Sequence, residues 1–183
     1  MYMVDNNEQT PQEMCGQKCP ICGKDTLTLR DAEREVPYFG IMYIFSMDCS
    51  SCNYHKADVE FDANQEPSKY ELEISEEKDL KTRIIKSSTA KIKLGRIGSI
   101  DPGATSNGYV TNVEGLLNRF KNIIEMTRDN AENDSERKQA KNHLKKISRV
   151  IWGSEKIKLV LEDPKGNSAI ISDKAVKTKL KIK

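Results

Sequence analysis

The sequence predicts a mainly β protein with an inserted α-helical hairpin, headed by a small unit stapled by cysteines. Three observations predict it. Two Cys-x-x-Cys turns lie near the N-terminus with strand-like runs between them. Apolar residues then alternate with polar ones at period two, as in Tyr70, Leu72 and Ile74 against Glu71 and Glu73. Between about 112 and 152 the period changes to that of a helix, and strand patterns return afterwards.

The cysteine unit comes first in the chain. All five cysteines fall within residues 15–52 of the 183. Cys19-Pro-Ile-Cys22-Gly23 and Cys49-Ser-Ser-Cys52-Asn53 are separated by 26 residues. Paired turns of this kind bring four thiolates together around a soft dication. The residue after each second cysteine must often adopt a left-handed backbone, and Gly23 and Asn53 are the residue types that tolerate it. One zinc ion held by Cys19, Cys22, Cys49 and Cys52 is expected; a tetrahedral sulfur cage is also compatible with iron. Four protein ligands leave no open position, so the metal is structural. Disulfides find no support, because nothing in the sequence points to an oxidising compartment. Cys15 is left outside the ligand set. Runs at 26–30, 41–47 and 54–61 favour strands. Together they make a zinc ribbon over residues 15–63, preceded by a flexible tail at 1–14.

Asn64-Gln-Glu-Pro67 is a turn-rich link, and a β-rich domain is expected over 68–172. Strands are expected at 70–74, 80–87, 89–94, 156–161 and 168–171, with a long loop at 99–109. Thr111-Asn-Val-Glu114 reads as a capping box before Val113, Leu116, Leu117, Phe120, Ile123 and Ile124, which share one helical face. A second helix begins at Asp134-Ser135, and Gly153 is placed to stop it. The end of the chain, 173–183, holds five lysines and one aspartate and reads as a frayed basic tail.

Charge narrows the function classes. Lys plus Arg number 30 against 28 Asp plus Glu, but residues 1–70 carry a net of -6 and the rest +8. An acidic ribbon repels phosphates, so a protein partner is favoured over nucleic acid. No apolar run is long enough for a membrane span, and a cytoplasmic location is expected. His55 and His143 have no nucleophile that sequence can assign to them, and Gly95-Arg-Ile-Gly98 is no phosphate loop. A non-enzymatic role is expected. Tyr38 and Phe39, in the Val36-Pro-Tyr-Phe-Gly40 break, are candidate partner anchors; alternatively their rings pack the ribbon's small core or rest on the second domain.

Several stretches resemble one known family, the ZPR-one zinc-finger proteins. They are the two Cys-x-x-Cys turns, Asp79-Leu-Lys-Thr-Arg-Ile-Ile-Lys-Ser87, Asp101-Pro-Gly103, Gly108-Tyr-Val-Thr-Asn-Val-Glu-Gly-Leu-Leu117 and Leu161-Glu-Asp-Pro-Lys-Gly-Asn-Ser168. The chain resembles the single-module, archaeal-type members; at Leu94-Gly95-Arg96 it departs from the family's Pro-Glu pair. The resemblance implies a β-helix-like (double-stranded β-helix) domain after the ribbon. It also implies a folding factor or adaptor for the translation elongation factor one-alpha GTPase. The alternative is a zinc-ribbon nucleic-acid-binding protein of the transcription or translation machinery.

Overall fold

The computed structural model describes residues 11–37, 39–62 and 65–181. The first sheet has the order β1-β2-β3-β4, all antiparallel. Its strands are β1 (Gln12–Gln17), β2 (Leu27–Val36), β3 (Gly40–Cys49) and β4 (His55–Phe61). The long β2–β3 ladder runs from Leu27 opposite Cys49 to Val36 opposite Gly40. It therefore spans the distance from the cysteine turns to the second region. Strand β1 begins inside the stretch expected as a tail, pairing Gln12 with Asp31 and Glu13 with Arg30. Every residue of β1 is exposed, so no burial alternation betrays it in the sequence.

The second region contains β5 (Ser68–Ile74), β6 (Arg83–Lys86), β7 (Lys91–Leu94), β8 (Gly98–Ile100) and β9 (Tyr109–Asn112). After α1 (Val113–Asp129) and α2 (Asp134–Ile151) come β10 (Ile157–Asp163), β11 (Ala169–Ile171) and β12 (Val176–Lys179). They form a five-stranded sheet, β12-β5-β10-β7-β8, and a three-stranded sheet, β11-β6-β9. The alternation read from sequence is the burial pattern found: Tyr70, Leu72 and Ile74 are buried on β5, and Ile157, Leu159 and Leu161 on β10. One core joins them to Ile84 and Ile85 of β6, Ile170 of β11, Leu116, Leu117 and Phe120 of α1, and Ile147 and Val150 of α2. Val36, Met42, Val59 and Phe61, from the far end of the first sheet, belong to the same core.

Four expectations need correction. The stretch 80–87 is not all strand: Glu77–Lys81 forms a 3-10 turn, because the Asp79 carboxylate accepts the N–H groups of Ser75 (2.9 Å) and Glu76 (3.1 Å). The loop at 99–109 contains part of β8, which pairs with β7. Asn112, not Thr111, caps α1, its Oδ1 accepting the Gly115 N–H at 2.8 Å, while Thr111 is taken up in the β6–β9 ladder. The C-terminal segment is no frayed tail over its described length. Strand β12 covers the edge of β5, pairing Val176 with Glu71 and Lys179 with Ser68. Lys174 Nζ ties its approach to Glu76 (2.6 Å) and the buried Asp79 (2.9 Å). Backbone pairing and these ions hold the segment, and hydrophobic patterning cannot report either.

Candidate metal centre and the seam beneath it

The two cysteine turns have the same local geometry. In each, the residue after the second cysteine donates its N–H to the carbonyl of the first: Gly23 to Cys19 at 2.9 Å and Asn53 to Cys49 at 3.0 Å. Gly23 (φ 71°) and Asn53 (φ 56°) both take the left-handed backbone that this tight closure requires. Each first cysteine then donates its own N–H just beyond the turn, Cys19 to Lys24 O and Cys49 to Tyr54 O, both at 2.9 Å. The repeat of one turn by the other aims four sulfurs at a common centre.

All four Sγ atoms lie within 4.8 Å of one another. Cys19 and Cys52 are 3.7 Å apart, as are Cys22 and Cys49. A regular tetrahedron of sulfurs bonded to zinc at ~2.3 Å has edges of about 3.8 Å. The cage therefore fits one zinc ion, and Cys19, Cys22, Cys49 and Cys52 are the residues that would hold it. Cys15 lies exposed on β1, its thiol 3.7 Å from Glu13, outside the cage. A small apolar cluster of Leu27, Leu29, Met47 and Tyr54 surrounds the sulfurs, separate from the main core.

Without metal the thiols do not share one acidity. The Thr26 hydroxyl, 3.2 Å from Cys49 Sγ, lowers that thiol to about 6, against the opposing effect of burial. The Tyr54 N–H favours the Cys52 thiolate, but burial and the sulfurs of Cys49, Cys22 and Cys19 outweigh it and push Cys52 up to about 12. Cys52 holds its proton more tightly than Cys49, and the metal must displace the protons that the four coupled thiols retain. Zinc uptake must therefore release protons, and affinity must fall as pH falls. Acidifying through about 6 should steepen the loss as Cys49 also becomes protonated. A zinc titration with a metallochromic dye at several pH values checks this, and a flat profile would contradict it.

Sequence reading did not anticipate the polar seam where the ribbon meets the β-rich domain. Asp58 of β4 accepts from Ser88 N (2.7 Å) and from the Ser88 hydroxyl. Asn107 Oδ1 accepts from Ala57 N (3.2 Å), and Asn167 Oδ1 accepts from Phe61 N (3.3 Å). Gly108 donates its N–H to Ala57 O at 2.9 Å. A Cβ there would strike the Asp58 carboxylate and lie 2.9 Å from Asp58 Cα, so this contact demands glycine. Lys86, 2% exposed, donates to Ser87 O (2.9 Å) and Ser106 Oγ (3.3 Å), and burial lowers its pKa. Beside it Asp163, 1% exposed, accepts from Ser87 Oγ (2.8 Å), Ser168 Oγ (2.6 Å), Thr89 Oγ1 (2.8 Å) and Lys165 N (2.9 Å). The motifs at 86–89, 106–109 and 163–168 thus meet in one place. In the sequence, Lys86, Ser87, Gly108, Asp163 and Ser168 stand only within the stretches that resemble the ZPR-one family, with nothing to say that they meet.

Of the two proposed aromatic anchors, Phe39 is half-buried. It stacks on Phe61 with ring centroids 5.5 Å apart and tilts over Tyr70 at 6.3 Å, so its ring joins the ribbon to the second region. Tyr38 lies outside the described residues. His55 has a partner that sequence could not assign: its Nδ1 lies 2.7 Å from Asp48, which also pairs with Arg30. Among the described ribbon residues the most exposed large apolar side chain is Ile21, 66% accessible, between the first pair of candidate ligands.

A four-cysteine ribbon docked through a polar seam on a two-sheet β domain with a helical hairpin defines a zinc-finger protein of the jelly-roll type. The model of the ZPR1 jelly-roll domain matches residues 78–183. A ZPR1-like protein of Methanocaldococcus jannaschii is 39% identical over 85% of this chain and 79% of its own length. Another from Pyrococcus horikoshii is 37% identical over 92% of this chain and 78% of its own. The zinc finger chaperone zpr1 of Schizosaccharomyces pombe is 24% identical over 83% of this chain, which corresponds to 33% of that longer protein. The chain belongs to the ZPR1 family.

Proposed function

We propose that this protein is a non-enzymatic, zinc-dependent protein-interaction factor acting in the cytoplasm on the translation elongation factor one-alpha GTPase, as a folding factor or adaptor. The observation that carries the reading is the closed cage: four clustered sulfurs would saturate one zinc ion, which would then shape a surface and offer no position for a substrate. The name of the fission-yeast relative, a chaperone, supports a protein client. Among the described residues no helix is long and apolar enough to cross a membrane. The ribbon also suits a protein better than nucleic acid, since Asp31, Glu33, Glu35 and Glu60 are exposed on its strands.

Ile21 presents an apolar tip on the Cys19–Cys22 turn, its N–H on the Cys19 sulfur at 3.4 Å, the kind of anchor from which interfaces draw their energy. Ile21→Asp should weaken binding to elongation factor one-alpha by at least ~2 kcal/mol, about thirtyfold, with zinc content and melting temperature unchanged. Isothermal titration with folded factor, and a refolding assay with newly unfolded factor, provide the readout. Unchanged affinity would remove Ile21 from the interface. No affinity of the unmutated protein for either form of the factor would remove the proposed function.

A further inference from the structure

The outer face of α2 has no role in the metal centre or the seam. Lys138, Lys141, Lys145 and Arg149 follow one another at three- and four-residue steps, and Trp152, the helix C-cap, continues the series. All five are exposed, on the side away from the buried Ala140, Ile147 and Val150. The stripe runs about 21 Å along the helix at ~1.5 Å per residue. Among the described residues, Lys138, Lys141 and Lys145 make no ion pair. Arg149 reaches Glu155 only at 3.9 Å, and Lys146, beside the stripe, is the closer partner of that carboxylate at 3.3 Å. Trp152 is 84% accessible, the most exposed large apolar side chain among the described residues.

We propose that this stripe binds single-stranded nucleic acid, its cations tracking the phosphates and Trp152 stacking on a base. Two features favour a nucleic acid over an acidic protein. Lysine is depleted from protein interfaces, whereas unpaired cations repeated along one line suit a phosphate backbone. An aromatic ring left open at the end of such a line suits a base, because stacking needs only a π-face and no pocket. The stripe lies on α2, apart from the acidic ribbon, so this inference stands independently of the ribbon's protein partner.

Trp152 is the protein's one tryptophan and reports on its own contact. The full chain, zinc-loaded, is titrated with a labelled mixed-sequence RNA of about 12 nucleotides, within the usual site size. Saturable quenching of Trp152 fluorescence is expected, with an affinity that falls with salt at a log–log slope near -3, about 0.7 for each of four cations. Replacing Lys138, Lys141 and Lys145 with Gln should bring that slope to about -0.7 and weaken binding at least tenfold at low salt. Trp152→Phe should retain most of the affinity and Trp152→Ala should lose roughly tenfold, both read by RNA anisotropy, with the salt slope unchanged. All variants should keep the wild-type melting temperature, since the five side chains are exposed. Three results would overturn the proposal: no quenching at low salt, RNA binding that is indifferent to the lysine substitutions, or stronger quenching by polyglutamate than by RNA. The last would assign the stripe to an acidic protein surface.

Discussion

Removing the zinc should unfold one end of the ribbon and leave the rest of the protein cooperatively folded. The metal end rests on a few apolar side chains, Leu27, Leu29, Met47 and Tyr54, around the sulfurs. So small a cluster cannot offset the chain entropy of the two turns, and apparent zinc-binding free energies of about 10–16 kcal/mol show how much a structural ion contributes. The main core contains no cysteine and draws on β5, β6, β7, β10, β11 and both helices. After chelation, hydrogen exchange should lose protection at Cys19 and Cys49 and retain it along β5, β7 and β10. Heating should still give one cooperative transition. Because Val36, Met42, Val59 and Phe61 belong to the main core, the boundary of unfolding should cross the ribbon sheet rather than follow the link near Pro67. Cys22→Ser should reproduce the chelated state, and Cys15→Ser should keep its zinc. Complete loss of the thermal transition on chelation would show that the second region cannot stand alone.

Asp163→Ala should be the most damaging single change outside the cage. It removes the acceptor of three hydroxyls and one backbone N–H, and Ser87 and Ser168 are themselves buried. Hydrogen bonds to a charged group each contribute roughly 1.5–3 kcal/mol, and donors stranded out of water add their own cost. A loss of about 3–5 kcal/mol in chemical denaturation is expected. Ser168→Ala removes one donor to Asp163 and the acceptor of the buried Ser87 N–H (2.9 Å), and should cost about 2–4 kcal/mol. The distinctive consequence concerns the ribbon. The Asp163 cluster shares Ser87 with the Lys86 contacts, next in sequence to the Ser88–Asp58 pair, so Asp163→Ala should also raise exchange at Ala57 and Val59 on β4. A loss below about 1 kcal/mol would show that the hydroxyls find other partners.

How far the sequence could be read depended on the kind of force at each position. The cysteine cage was fully legible, since sulfur chemistry, ligand count and turn geometry are local, and Gly23 and Asn53 already declare the closure of each turn. Strands β5 and β10 and the helical hairpin were legible because burial of one face imposes a period. Strands β1 and β12 were not: every residue of each is exposed, and backbone pairing leaves no periodic trace. Phe39 is ambiguous for a related reason. A turn aromatic can face solvent or a neighbouring sheet, and only the docking of Phe61 and Tyr70 decides between them.

The sequence by itself determined the clustering of four cysteines and the mixture of strand and helix, because each is written in residues close together or repeated at a fixed interval. Tertiary structure alone decided that ribbon and β domain share one core and one polar seam. Asp58, Lys86, Gly108, Asp163 and Ser168 lie up to 110 positions apart. A buried carboxylate or lysine is tolerable only beside its partners, and folding is what brings those partners within hydrogen-bonding distance.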